Sequence, residues 1–132
     1  MQSNMKVILF TTLLLFSING FAFNWKKVTE SDAGHFFYVD NIKKHNGLVY
    51  YWMLDDYLEP LDGGSLGNAN SAIAKYKVDC VEEKQTWLNG TFYSQSMGKG
   101  RIVDEINPNN VTYPKPNTVG YTLMKFVCDY AK

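Results

Sequence analysis

The chain has 132 residues, with 13 basic and 13 acidic side chains, two cysteines, and 45% hydrophobic and 15% aromatic content. That is enough apolar material for one core, which excludes a multidomain protein and wholesale disorder. A formal charge of +0 lacks the positive bias that neutralising phosphates usually requires, so no nucleic-acid partner is expected.

The first predicted element is a cleaved secretory signal over residues 1–22. Lys6 precedes an apolar run from Val7 to Phe16, and Gly20-Phe21-Ala22 supplies small residues for cleavage after Ala22. The run is too short for a membrane span, which needs about 20 residues. Residues 23–132 then form a single domain. Position 23 is Phe rather than Cys, so the expected product is exported, periplasmic or secreted, or associated with the cell surface without a lipid-anchor cysteine. An exported chain with an even cysteine count pairs them, so Cys80 and Cys128 are expected to form a disulfide. Closing a loop of about 49 residues contributes about 4 kcal/mol by loop-closure entropy. No Cys-x-x-Cys or adjacent histidine adds ligands, and no metal or cofactor is expected.

Trp25 to Thr29 and His35 to Asp40 are short aromatic and β-branched runs around the turn-rich Glu30 to Gly34, and they read as a first strand pair. Leu48 to Leu54 is apolar at odd and even positions alike, which predicts a central strand with both faces covered or one face presented. Leu61 to Asn70, rich in glycine and asparagine, reads as a flexible surface loop that tolerates insertion. Alternation is clearest from Ala74 to Cys80: Ala74, Tyr76, Val78 and Cys80 share one face, and Lys75, Lys77 and Asp79 the other. Lys84 to Ser96 reads as one long strand with a bulge at Asn89-Gly90 rather than a hairpin. Pro114 and Pro116 stop any strand, and Asn117 or Thr118 caps a helix from Val119 to Ala131. Its inner stripe is expected at Val119, Leu123, Phe126, Val127 and Tyr130, flanked by Tyr121, Met124, Cys128 and Ala131. The fold class is therefore α+β: an antiparallel sheet of about five to six strands, with one C-terminal helix packed on it and tied by the disulfide.

No catalytic constellation stands out. His35 and His45 sit at polar turns without a triad partner at a diagnostic spacing, and read as solvated surface histidines. Asp55 and Asp56, adjacent on a strand, face opposite sides and mark its end rather than a shared acid/base site. Met97-Gly98-Lys99-Gly100 lacks the length of a phosphate loop and reads as a tight turn.

Several segments in order carry a resemblance: Phe36-Phe37-Tyr38-Val39-Asp40, Ala74 to Cys80, Phe92-Tyr93 followed by Met97-Gly98-Lys99-Gly100, and Pro116-Asn117-Thr118 leading to Val127-Cys128. Over residues 36 to 130 the chain resembles the bacterial surface-adhesin protein E family. The resemblance implies an antiparallel sheet of about six strands with a disulfide-held helix, and a non-enzymatic module binding host extracellular-matrix or serum proteins. The competing expectation is a periplasmic enzyme or enzyme inhibitor with a site assembled from dispersed residues, and a histidine in a deep pocket beside a carboxylate would favour it. For a protein partner, either a host protein or a second copy in a homodimer, the candidate interface is Tyr50 and Trp52 with Lys43 and Lys44 as a polar rim. Sequence leaves open whether Tyr50 and Trp52, the opposite parity of Val49, Tyr51 and Met53, or neither is presented.

Overall fold

The computed structural model describes residues 22–57, 59–60 and 67–132. The expected signal falls almost wholly outside them, as does the 61–66 part of the expected surface loop. Seven strands are described: β1 Lys26–Glu30, β2 Phe36–His45, β3 Leu48–Asp56, β4 Ser71–Asp79, β5 Lys84–Gln95, β6 Lys99–Ile106 and β7 Asn110–Thr112. They form one antiparallel sheet in the order β1-β2-β3-β4-β5-β6, with β7 pairing β5 beside β6. The expected five to six strands are this path, and the three-residue β7 extends it. Helix α1, Val119–Tyr130, follows. No helix among the described residues is long and apolar enough to cross a membrane.

Sequence neighbours pair because each connection is tight. Asn46 (φ 52°) and Gly47 (φ 80°) join β2 to β3, and both need the left-handed region that a two-residue hairpin requires. This turn carries β2 on to His45, beyond the end read at Asp40. Between β4 and β5, Asp79 Oδ1 accepts from the backbone N–H groups of Val81 and Glu82, each at 3.1 Å. β5 runs unbroken through Asn89-Gly90, with a register shift that leaves Leu88 unpaired opposite Lys75 and Tyr76. The bulge lets the Trp87 indole fold over Gly90, where a Cβ would lie 2.8 Å from its ring, and Trp87 Nε1 donates to Asn89 O at 2.7 Å.

The core lies between α1 and one face of the sheet. Val39, Val49, Tyr51, Met53, Ala74 and Val78 meet Leu123, Met124 and Val127. Tyr51 is fully enclosed, and its hydroxyl donates to Gln85 Oε1 at 2.8 Å, which satisfies the one polar atom it buries. Thr118 caps α1 by accepting from Tyr121 N at 3.2 Å. Cys80 and Cys128 are joined by a disulfide across 48 residues of sequence.

The buried stripe of α1 differs from the one read off the sequence. Leu123, Met124 and Val127 are buried, whereas Tyr130 is 63% exposed and Val119 and Phe126 are only half-buried. At 100° per residue the inner face is turned by roughly 60° toward Met124 and Cys128. The disulfide accounts for this, because Cys128 must meet Cys80. The 67–70 part of the expected flexible loop is also more integrated than anticipated. Ala69 is fully buried, Asn70 N donates to Tyr93 O, and Asn70 O accepts from Tyr57 N.

Candidate functional site

β3 occupies the middle of the sheet, and its two parities have different fates. Val49, Tyr51 and Met53 are buried beneath α1, while Tyr50 and Trp52 project from the opposite face and stay half-exposed. Among the described residues, the same face is closed over at the Leu54 end. There a 3-10 turn, Ser96–Gly98, folds over Leu54 and Ile73, held by Gly98 N donating to Ser71 Oγ at 2.9 Å and by Ser96 Oγ donating to Asp56 at 2.8 Å. Met97 (φ 61°) and Gly98 (φ 70°) make it the tight turn expected of Met97 to Gly100.

Strand register fixes the neighbours of the two open aromatics. Tyr50 lies between Lys43 of β2 and Lys77 of β4, and Trp52 lies between Asp40 and Lys75. Lys75 Nζ stands 5.5 Å from the centroid of the Trp52 ring and 5.9 Å from that of Tyr50, in cation–π range of both. Phe23 packs edge-on against Trp52 with centroids 5.8 Å apart and stacks on Trp25 at 4.4 Å, so the segment entering the domain borders this face. Beyond Tyr50 the surface continues into a groove of about 440 Å³ lined by Leu48, Lys77, Lys84, Leu88 and Val111 among others.

Of the four residues expected at an interface, the structure brings together Tyr50, Trp52 and Lys43. Lys44 is a correction. It pairs with Val49 and lies on the helix side, beside Cys80 and Lys125, because side chains of adjacent strand residues point to opposite faces. Its place at the rim is taken by Lys75 and Lys77. Alternation in β4 already put those two on one face, but which strand they flank is a matter of register, which a single sequence does not state.

His35 is a second correction. It is not a solvated surface residue: Nδ1 donates to Asp55 Oδ1 at 3.1 Å, and the imidazole lies 4.9 Å from the Tyr57 ring and 6.3 Å from that of Phe37. The pair ties the start of β2 to the end of β3 on the helix side of the sheet, away from Tyr50 and Trp52. Ser31 Oγ accepts from the His35 backbone N–H at 3.1 Å, so this hydroxyl braces the main chain rather than approaching the ring. Asp56 faces the other way toward Ser96, as adjacent strand carboxylates must. His45 is exposed beside Asn46 at the hairpin.

Burial raises the Asp55 carboxyl from 3.8 to about 6, with the charge and hydrogen bond of His35 opposing and Asp56 adding to the rise. Burial, then the charge of Asp55, likewise pushes Tyr76 up to about 12 and raises Tyr57 further. A carboxyl with a folded pKa above its unfolded value holds an extra proton in the folded state between the two values. Its contribution is most favourable below about pH 4 and is lost as the pH rises through about 6. Asp55→Asn is therefore expected to gain stability relative to the parent as pH is raised across that window. Paired chemical denaturations at closely spaced pH values check this, and a difference that is flat in pH contradicts it.

The sequence model of the surface-adhesin protein E family matches residues 25–129. No curated protein matches the sequence. Among solved structures, crystal form II of Haemophilus influenzae protein E superposes with a TM-score of 0.62 at 16% identity, over 80% of this chain and 87% of that one. Protein E from non-typeable Haemophilus influenzae superposes with a TM-score of 0.57 at 16% identity, over 84% of this chain and 79% of that one. At this identity the likeness speaks for the fold.

Proposed function

Because the chain belongs to the surface-adhesin protein E family, we propose that it binds host extracellular-matrix or serum proteins through the open face of its sheet. Family membership makes it an exported, cell-surface, non-enzymatic binding module of the adhesin type. The observation that carries the choice of surface is that Tyr50 and Trp52, in the central strand, lie on the face that α1 leaves uncovered. Large aromatics at the centre of a patch, ringed by charge, are the residues that anchor protein interfaces. On this reading residues 1–22 are a removed export signal, and the mature chain begins at Phe23, beside Trp52.

A host protein suits this face better than a second copy does. An isologous dimer through the same surface would set the positive patch of Lys43, Lys75 and Lys77 against itself, and like charges across an interface are unfavourable. The test is retention of the exported protein on immobilised matrix and serum proteins. Trp52→Ala is expected to weaken retention by about tenfold or more, the effect of losing a central anchor. Tyr130→Ala, which removes an exposed aromatic from the helix side, is expected to leave it unchanged. Loss with Tyr130→Ala and not with Trp52→Ala would overturn the assignment.

A further inference from the structure

We propose that the partner segment taken by the open face is an acidic, extended stretch of protein chain, an inference that rests on the function proposed above. Lys43 and Lys77 flank Tyr50 across three strands, which places their backbones about 10 Å apart at ordinary strand spacing. Lys75 and Lys77, two positions apart on β4, are about 7 Å apart, the repeat of alternate side chains on an extended peptide.

None of these three lysines is ion-paired among the described residues. The carboxylates nearest to them on this face are already turned to the main chain. Asp40 Oδ2 accepts from Asn24 N at 2.8 Å, and Asp79 Oδ1 accepts from Val81 and Glu82 N at 3.1 Å. Both aspartates keep their charge, but around Tyr50, Trp52 and the adjoining groove the four lysines Lys43, Lys75, Lys77 and Lys84 outnumber them, a local surplus of positive charge over an apolar floor within a chain whose overall charge is balanced. Carboxylates at alternate positions would meet Lys43, Lys75 and Lys77, and intervening apolar atoms would rest on Tyr50 and Trp52.

The position of Lys75 argues against a sugar chain as occupant. A pyranose stacks on a bare aromatic face, whereas here the lysine ammonium stands over both rings and Phe23 covers an edge of Trp52. The aromatics hold a cation in place to receive an anion, and Lys84 in the adjoining groove extends the positive track.

The experiment is a heteronuclear NMR titration of the exported protein with three probes: an octapeptide alternating glutamate and tyrosine, its glutamine counterpart, and a heparin tetrasaccharide. The expected result is shift changes at Lys43, Tyr50, Trp52, Lys75 and Lys77 with the glutamate peptide alone, weakening as salt is raised. Lys75→Glu combined with Lys77→Glu is expected to reduce that affinity by about tenfold or more, while Lys125→Glu on the helix side leaves it unchanged. The spectrum of each variant reports whether it is folded. Equal binding of the glutamine peptide, response to heparin only, or shifts confined to the helix side would overturn the acidic-partner proposal. If none of the probes binds while Trp52→Ala still abolishes retention on host proteins, the acidic partner is overturned and the docking face stands.

Discussion

Cys128→Ser is expected to lower stability by about 4 kcal/mol, the entropy released when a loop of this size is opened in the unfolded chain. The helix it frees is then held by its packing on the sheet alone. Only Leu123, Met124 and Val127 are buried, and they rest on a patch of Val49, Tyr51 and Met53 at one side of the sheet. The disulfide joins the last turn of α1 to the residue just beyond β4, so its loss unpins the helix at the end where Tyr130 already projects into solvent. For a domain of this size the midpoint of thermal unfolding is expected to fall by roughly 15 °C. Reductant added to the parent protein should bring it to the same midpoint as the variant, and the oxidised parent should show no free thiol. A variant as stable as the parent, or two readily alkylated thiols in the unreduced parent, would contradict this account of the helix.

Leu54→Ala is expected to cost about 3 kcal/mol, within the range for truncating a fully buried leucine. The contrast with Trp52 gives the prediction its force. Both side chains lie on the same face of β3, two residues apart, yet Leu54 is fully buried while Trp52 is not. The difference is the Ser96–Gly98 turn, whose Gly98 sits so close to Ile73 and Leu54 that a Cβ there would fall 2.6 Å from Ile73 Cδ1. Ser71 cements that turn by accepting from Gly98 N and donating to Gln95 O at 2.6 Å. Trp52→Ala removes only the edge contact with Phe23 and the Lys75 ammonium over a half-exposed ring, and is expected to cost no more than about 1 kcal/mol. Urea titrations of the two variants check this, with a fall in midpoint at unchanged slope for Leu54→Ala. Equal losses would mean that the whole face is core and that Trp52 is no docking residue.

That contrast also explains what could be read in the sequence. Alternation from Ala74 to Cys80 assigned those side chains to their faces correctly, with Ala74 and Val78 buried on the helix side and Lys75, Lys77 and Asp79 on the other. The central position of Leu48 to Leu54 and the helix after Pro116 were equally legible, one from an unbroken apolar run and the other from proline and threonine chemistry. The fate of the two parities of β3 was not legible, since Leu54 needs a cover that comes from a turn more than forty residues away. The rotation of α1 was hidden for a similar reason: a constraint at Cys80 selects among several apolar stripes. Lys44 was misplaced because the aromatic and β-branched run that marks β2 ends at Asp40, whereas the strand continues to His45 and sets Lys43 and Lys44 on opposite faces. The His35–Asp55 pair, 20 residues apart, exists only because β2 and β3 pair in one register. The candidate site was legible in its aromatics and incomplete in its lysines, because aromatics announce themselves by type and cross-strand neighbours do not.

The most direct test of the adhesive face is hydrogen–deuterium exchange of the exported protein, free and bound to whichever host protein retains it. Protection is predicted in the segments carrying Lys43, Tyr50, Trp52, Lys75 and Lys77, with α1 exchanging as in the free protein. Protection confined to Val119–Tyr130, with those strands unchanged on binding, would contradict the account.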